Sequence, residues 1–316
     1  MSKILVTATN YSIYCKKAKD LLEHHGHEII ENTFGRPLTF EEISNVISDI
    51  DGVIAGVDTW NEDVFKIAPK LKIIARFGIG VDNIDLAAAK RYGITVTNAR
   101  GSTNAVAELT IGLILGLLRK IPGLDTSTRK GYWERFVGYE LAGKKVGLIG
   151  FGHIGQSVAK KLKAFDVELY AYDKYPDENK AKELGVSLVS FDEIIENCDI
   201  ISLHIPSTKE THHALGQKEF EKMKDGAFLI NTARGAIIDE KALYTALKAG
   251  KLAGAGIDVY EKEPADAQNP LFELENIVVT PHTGAETYET IEKVSIITAK
   301  AIIDYFDGKK PENILV

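Results

Sequence analysis

A two-domain α/β fold, in which parallel sheets are covered by helices, is what this sequence predicts. Three observations carry that prediction. Short apolar runs rich in β-branched residues alternate with stretches of helical spacing along most of the chain. One run leads into Gly150-Phe151-Gly152-His153-Ile154-Gly155, a glycine turn that opens a helix. The length, 316 residues, is enough for two domains that each bury a core.

In the first third, Ile4-Leu5-Val6, His27 to Ile30, Gly52 to Ala55, Lys72 to Ala75 and Ile94 to Thr97 fit buried strands of a mostly parallel sheet. Ser12 to His24, Phe40 to Ser48, Glu62 to Ile67 and Leu86 to Arg91 have helical spacing between them, and Thr39 with Glu42 forms a capping-box pattern. His24, His25 and His27 read as solvated residues at a helix end. After the fourth run comes Arg76-Phe77-Gly78-Ile79-Gly80-Val81-Asp82, where two glycines free backbone N–H groups to approach a ligand. The bland alternative is a tight turn beside a solvated arginine. Thr103 to Lys120 reads as one long apolar helix ended by Pro122 and Gly123. Thr126 to Tyr139, with Trp133-Glu134-Arg135, reads as an exposed irregular arm that serves a subunit interface or substrate rim, or packs on its own domain.

Lys145 to Ile149 is a strand, the glycine turn follows, and Gln156 to Phe165 has helical spacing. A second strand, Val167 to Tyr172, ends in Asp173, eighteen positions beyond Gly155. Each glycine has a separate task in holding a dinucleotide: Gly150 makes the tight turn, Gly152 admits a pyrophosphate close to the backbone, and Gly155 lets helix pack on strand. The helix N-terminus, including His153 and Ile154, offers N–H groups and partial positive charge to phosphates. Asp173 is placed to accept from both ribose hydroxyls and repel a 2′-phosphate, which points to NAD rather than NADP. Lys174 beside it softens that discrimination.

Further strands at Val186 to Val189, Asp199 to His204, Ala227 to Asn231, Gly254 to Val259 and Asn276 to Thr280 complete a doubly wound sheet of six or more strands. Ligands of such sheets bind beyond the C-terminal strand ends, so the polar residues there are the informative ones. They are His204-Ile205-Pro206, Asn231-Thr232-Ala233-Arg234, Asp258 with Glu263 after it, and Pro281-His282-Thr283-Gly284. Hydride transfer to or from a secondary alcohol needs an acid/base, a cation for a carboxylate or carbonyl, and positioning groups. His282 suits the first role, since imidazole ordinarily titrates near neutral pH. Glu263 suits a partner that orients it, and Arg234 offers a two-pronged donor that matches a carboxylate. Asp258 would accept from a nicotinamide carboxamide, and the Gly78-Ile79-Gly80 backbone would receive a substrate carboxylate. Taken singly, His282 could be a bonded loop histidine, Glu263 a solvated acid and Arg234 a surface partner of Asp239; His204 reads as structural.

Composition narrows the classes. A net charge of −7 with no basic tract argues against nucleic acid. Cys15 and Cys198 have no metal-ligand or redox spacing and read as reduced thiols; no metal is expected. No apolar run reaches membrane-spanning length and the N-terminus opens directly on a strand pattern, so a cytoplasmic setting is expected.

The motifs RFGIGVDNIDLAAAKRYGITVTN, VAELTIGLILGLLR, GKKVGLIGFGHIGQ, CDIISLHIPST, INTARGAIIDEKAL, GIDVYEKEP and TPHTGAET span nearly the whole chain, and through them it resembles the D-2-hydroxyacid dehydrogenases. The resemblance implies a flavodoxin-like substrate domain, residues 1–99 plus 287–316, carrying an inserted Rossmann-type NAD domain, residues 100–286, with the active site in the cleft between them and a homodimer formed largely through the NAD domain. It implies substrate binding by Arg234, an acid/base at His282 and its partner at Glu263. It also implies cofactor contacts at Ile79, His153, Ile154, Asp173, Ile205, Pro206, Thr232, Ala233, Asp258 and the turn His282 to Ala285, Gly284 included. Arg76 ahead of the GIG turn and Arg135 are most similar to phosphoglycerate dehydrogenases and are candidate phosphate contacts. Two departures stand out: Ala55-Gly56 where those enzymes often carry an arginine, and His153 where the glycine turn usually has one. No regulatory domain is expected after Val316. The expected reaction is oxidation of 3-phospho-D-glycerate, with hydroxypyruvate/glyoxylate or D-lactate-type reduction as alternatives, and an NAD-sensing corepressor-like protein as the alternative of another class.

Overall fold

The computed structural model describes residues 2–9 and 11–316. The chain divides into two compact units, Met1–Ser102 with Glu286–Val316, and Thr103–Ala285.

The first unit is built on five parallel strands, β1 (Lys3–Val6), β2 (Glu28–Glu31), β3 (Gly52–Ala55), β4 (Ile73–Arg76) and β5 (Thr95–Asn98), in the order β2-β1-β3-β4-β5. Ala55 lies opposite Arg76, and Arg76 opposite Asn98, so the residues that follow these strands share one sheet edge. Apolar clusters fill both faces of the sheet, and the helix Tyr288–Phe306 contributes Ala299, Ala301, Ile302 and Ile303 to one of them. The Thr39–Glu42 capping box forms reciprocally and opens Phe40–Ser44.

Local packing corrects two of the expected elements and the expected exposure of one residue. The helix expected from Ser12 to His24 is two, Tyr11–Tyr14 and Lys16–His24, because Cys15 leaves helical geometry (φ −140°, ψ 77°) and is buried with its thiol toward the Glu292 carbonyl. The second helix stops at Ser44 and resumes as a 3₁₀ turn over Ile47–Asp49, which turns Ile47 and Ile50 into the core. His27, expected in solvent, is buried against the Phe306 ring, and that burial lowers its pKa.

In the second unit seven parallel strands, β6 (Lys145–Ile149), β7 (Glu168–Tyr172), β8 (Ser187–Leu188), β9 (Ile200–Leu203), β10 (Ala227–Asn231), β11 (Leu252–Ile257) and β12 (Ile277–Val279), run in the order β12-β11-β10-β9-β6-β7-β8. The chain order reverses between β6 and β9, which is the switch point where doubly wound sheets hold ligands. Pro122 does not end a structured region as expected. Lys120 breaks the helix Thr103–Leu118 by entering the left-handed region (φ 52°), and a new helix, Ile121–Arg129, then begins with Pro122 in its first turn, where a missing N–H costs nothing. The irregular arm expected from Thr126 begins later, because Thr126 to Arg129 belong to that helix; residues 130–140 are irregular and exposed apart from Gly138.

Candidate active site

Parallel strands put every C-terminal end of the second sheet on one edge, and the site grows from there. Asp258, directly after β11, is 1% exposed. Its Oδ1 accepts the Thr280 hydroxyl at 2.6 Å and the Thr283 N–H at 2.8 Å, its Oδ2 accepts the Gly284 N–H at 2.9 Å, and its carbonyl accepts the His282 N–H at 2.7 Å. These bonds hold His282 at φ +50°, a left-handed conformation uncommon outside glycine. Asp258 therefore shapes the turn that presents the imidazole, and one acceptor position on Oδ2 remains for a further donor.

The His282 Nδ1 lies 2.6 Å from Glu263 Oε2. Glu263 Oε1 accepts the Tyr260 N–H at 3.0 Å, so the carboxylate is fixed at both oxygens. Burial pushes the Glu263 carboxyl up, but the hydrogen bond and charge of His282, the Tyr260 N–H and the Arg234 charge outweigh it and leave the pKa below the usual carboxylate value. With Nδ1 engaged, Nε2 is the ring atom left to exchange a proton.

Arg234 follows β10. Its carbonyl accepts from the Asn231 amide at 2.9 Å, and its Nη1 donates to the Ala233 carbonyl at 2.7 Å. The next residue must be glycine: a Cβ on Gly235 would stand 1.9 Å from the Tyr260 carbonyl carbon. That backbone contact locks the arginine's segment against the one carrying Glu263. Asp239, a possible surface partner in the sequence, is the N-cap of Glu240–Lys248 through the Ala242 N–H. Thr232, buried, shares a hydroxyl contact with Thr110 at 2.9 Å, a neighbour that strand-end reasoning did not find.

The glycine turn at the end of β6 has the three environments expected of it. Gly150 has φ +104°, and a Cβ there would meet the His204 carbonyl oxygen at 2.5 Å. Gly155 presses on the Gly150 carbonyl oxygen, 2.2 Å from where its Cβ would be. Gly152 faces open space and caps the helix His153–Leu162 without a side chain, so the first-turn N–H groups are left for a ligand. Asp173 Oδ2 accepts the Phe151 N–H at 2.7 Å and Oδ1 the Tyr175 N–H at 2.9 Å, which leaves one lone pair on each oxygen for ribose hydroxyls. Lys174 is drawn to Glu210 at 3.0 Å. These residues fit a dinucleotide.

His204, at the end of β9, is held by Ser202 at 2.9 Å through Nε2, and burial lowers its pKa to about 3. A histidine kept neutral in the fold disfavours acid: between about pH 6.5 and 3 the unfolded chain binds a proton that the folded one does not, so stability falls as pH falls through that window. His204→Gln is expected to flatten the decline of Tm between pH 7 and pH 4, measured by calorimetry; an unchanged slope would exclude this origin. Ile205 is half-buried, and Pro206 is exposed at the same strand end.

The remaining expected residues belong to other segments of the chain. Arg76 ends β4 in the first unit and Gly78, Ile79 and Gly80 follow it, where the Ile79 carbonyl accepts from Asn98 at 2.9 Å. Arg135 is exposed on the irregular stretch 130–140.

Residues 111–284 match the family model described as "D-isomer specific 2-hydroxyacid dehydrogenase, NAD binding domain". The chain belongs to this family. The matched stretch lies inside Thr103–Ala285, which accords with the fold class and the nicotinamide cofactor that the motifs implied. Among curated 2-hydroxyacid dehydrogenases, a D-3-phosphoglycerate dehydrogenase of Archaeoglobus fulgidus is 43% identical over 94% of this chain, which spans 57% of that relative's length. A glyoxylate reductase of Thermococcus litoralis is 41% identical over 85% of this chain and 84% of its own. The apo-structure of D-lactate dehydrogenase from Escherichia coli, 33% identical, superposes with a TM-score of 0.89 and covers 100% of both chains.

Proposed function

We propose that the chain is an NAD-dependent oxidoreductase of D-2-hydroxy acids. The 2.6 Å contact between His282 and Glu263, at the sheet edge that carries the glycine turn and Asp173, is the observation that supports it most. Bound nicotinamide supplies the hydride acceptor or donor. The His282 Nε2 takes the proton of a C2 hydroxyl during oxidation, or returns it to the carbonyl oxygen during reduction. Glu263 orients the ring and stabilises the imidazolium that forms. Arg234 holds the substrate carboxylate or polarises its carbonyl. Arg76 and the Gly78-Ile79-Gly80 turn bind the acidic group of the substrate. Gly150, Gly152, His153, Ile154 and Gly155 hold the pyrophosphate, Asp173 the ribose, and Ile205, Pro206, Thr232, Ala233, Asp258, Gly284 and Ala285 line the nicotinamide side.

Two substrate readings have separate support. The name of the Archaeoglobus relative and the guanidinium of Arg76 support 3-phospho-D-glycerate. Glyoxylate or hydroxypyruvate is supported by the Thermococcus relative and by Ala55-Gly56, which bring no cation to the end of β3. Exposed Tyr132, Trp133, Phe136 and Val137 support a homodimer. Steady-state NADH consumption with pyruvate, glyoxylate, hydroxypyruvate and 3-phosphooxypyruvate tests the reading: turnover of at least one, yielding the D-hydroxy acid, is expected. Tight NADH binding without turnover of any would point instead to an NAD-sensing binding protein.

A further inference from the structure

The loop that follows β9 contains His213, which has φ +51° and so shares with His282 a left-handed backbone uncommon outside glycine. A non-glycine residue held in this way persists only where its surroundings fix it. The fixing bonds are visible. The His213 N–H donates to the Ala236 carbonyl at 2.9 Å, the Leu215 N–H to the Ile237 carbonyl at 3.1 Å, and the Asp239 N–H to the Leu215 carbonyl at 3.0 Å. His213 is thereby bonded along the 3₁₀ turn Gly235–Ile237, which directly follows Arg234.

Its side chain grips a second loop. Nε2 lies 2.8 Å from Glu261 Oε1, and the ring stacks on that of His212 at 4.0 Å. Glu261 is also bonded to the start of the helix Glu240–Lys248: its N–H donates to Glu240 Oε1 at 2.7 Å, and its Oε1 accepts the Glu240 N–H at 3.2 Å. Asn269 donates to the other Glu240 oxygen at 2.9 Å. Next to Glu261 is Tyr260, whose N–H holds Glu263 and whose hydroxyl donates to the Thr280 carbonyl at 3.0 Å, two residues ahead of His282. A continuous chain of contacts therefore runs from His213 through Glu261 and Tyr260 to the His282–Glu263 pair.

We propose that His213 is a positioning residue for proton transfer. Its backbone fixes the segment after Arg234, its imidazole fixes the segment before Glu263, and together they set the geometry in which Glu263 meets His282. Its contribution to stability is small, because both side chains of the His213–Glu261 pair are 38% exposed and exposed pairs stabilise little. Its contribution to rate is larger, since a misplacement of about 1 Å at a reacting group costs up to roughly 100-fold. The inference rests on the oxidoreductase reading above and adds to it a residue that acts only through Glu263.

The test is kinetic, with NADH and the best 2-keto acid of the unaltered protein. His213→Ala is expected to lower kcat about tenfold while KM for the keto acid, NADH affinity and Tm stay nearly unchanged. His213→Gln, which keeps an N–H donor at the reach of Nε2, should restore most of the rate. In a Glu263→Gln background the His213→Ala change should add nothing, because the carboxylate that it positions is gone. NADH titration of each preparation counts the folded sites, so partial unfolding does not enter kcat. An unchanged kcat in His213→Ala, no recovery in His213→Gln, a loss confined to KM or NADH binding, or an equal loss with and without Glu263 overturns the proposal and leaves the oxidoreductase reading standing. NADH binding with no turnover of any 2-keto acid by the unaltered protein is a different result: it overturns that reading, and this inference with it.

Discussion

His282→Ala is expected to lower kcat/KM by about 10³-fold, the order of a lost general acid/base, while NADH affinity changes only a few-fold. The separation follows from the architecture. Proton exchange depends on one ring, positioned by Glu263 at 2.6 Å and by the turn bonded to Asp258. Dinucleotide binding depends on other residues: Gly150, Gly152 and Gly155 at the end of β6, and Asp173 at the end of β7. Stopped-flow NADH binding and steady-state turnover on the same preparation measure the two effects independently. A variant that retains turnover would remove His282 from the chemistry, and one that loses NADH binding to the same extent would make its role one of holding the cofactor.

Gly155→Ala is expected to strike the other half of the site. The added Cβ would lie 2.2 Å from the Gly150 carbonyl oxygen, far inside any contact that Cβ atoms make, and the opposing atom is backbone. The helix His153–Leu162 must then shift outward, moving its N-terminus away from the turn. We expect the NADH Kd to rise at least about 100-fold, a loss of roughly 3 kcal/mol, and stability to fall by about 1–3 kcal/mol as for other overpacked positions. Gly152→Ala provides the contrast, because its Cβ would meet nothing in the protein and would obstruct only a bound pyrophosphate. It should weaken NADH binding with little change in Tm. Equal Tm losses in the two variants would contradict this division of roles.

Much of this was legible in the sequence because periodicity and glycine spacing encode backbone geometry directly. The apolar runs located the strands of both sheets to within about two residues, and the glycine turn with its terminal acid appeared in three dimensions with the environments expected of it. The pairing of His282 with Glu263 was legible for another reason: parallel strands bring their C-terminal ends to one edge, whatever the separation along the chain. Other features depend on tertiary packing, which spacing does not encode. Asp258 reads as a residue facing a cofactor, and its second task, binding the backbone and hydroxyl groups of the turn beside it, is visible only in the structure. His27 looks like a solvated residue until the helix Tyr288–Phe306 closes over it with Phe306. Asp58 is a loop acid in the sequence, and its burial, with the Leu38 N–H on its carboxylate and Asn83 bracing its carbonyl, emerges only from tertiary packing. Pro122 was misread because proline both follows helices and starts them, and only the left-handed Lys120 decides between these.

The role of the imidazole as proton carrier is tested most directly by chemical rescue. His282→Ala, assayed for NADH-dependent reduction of its best 2-keto acid with increasing free imidazole, should regain a rate that rises with imidazole concentration, because the truncated side chain leaves room beside Glu263 for the added ring. An imidazole-independent rate at unchanged NADH affinity would contradict the assignment of proton transfer to His282.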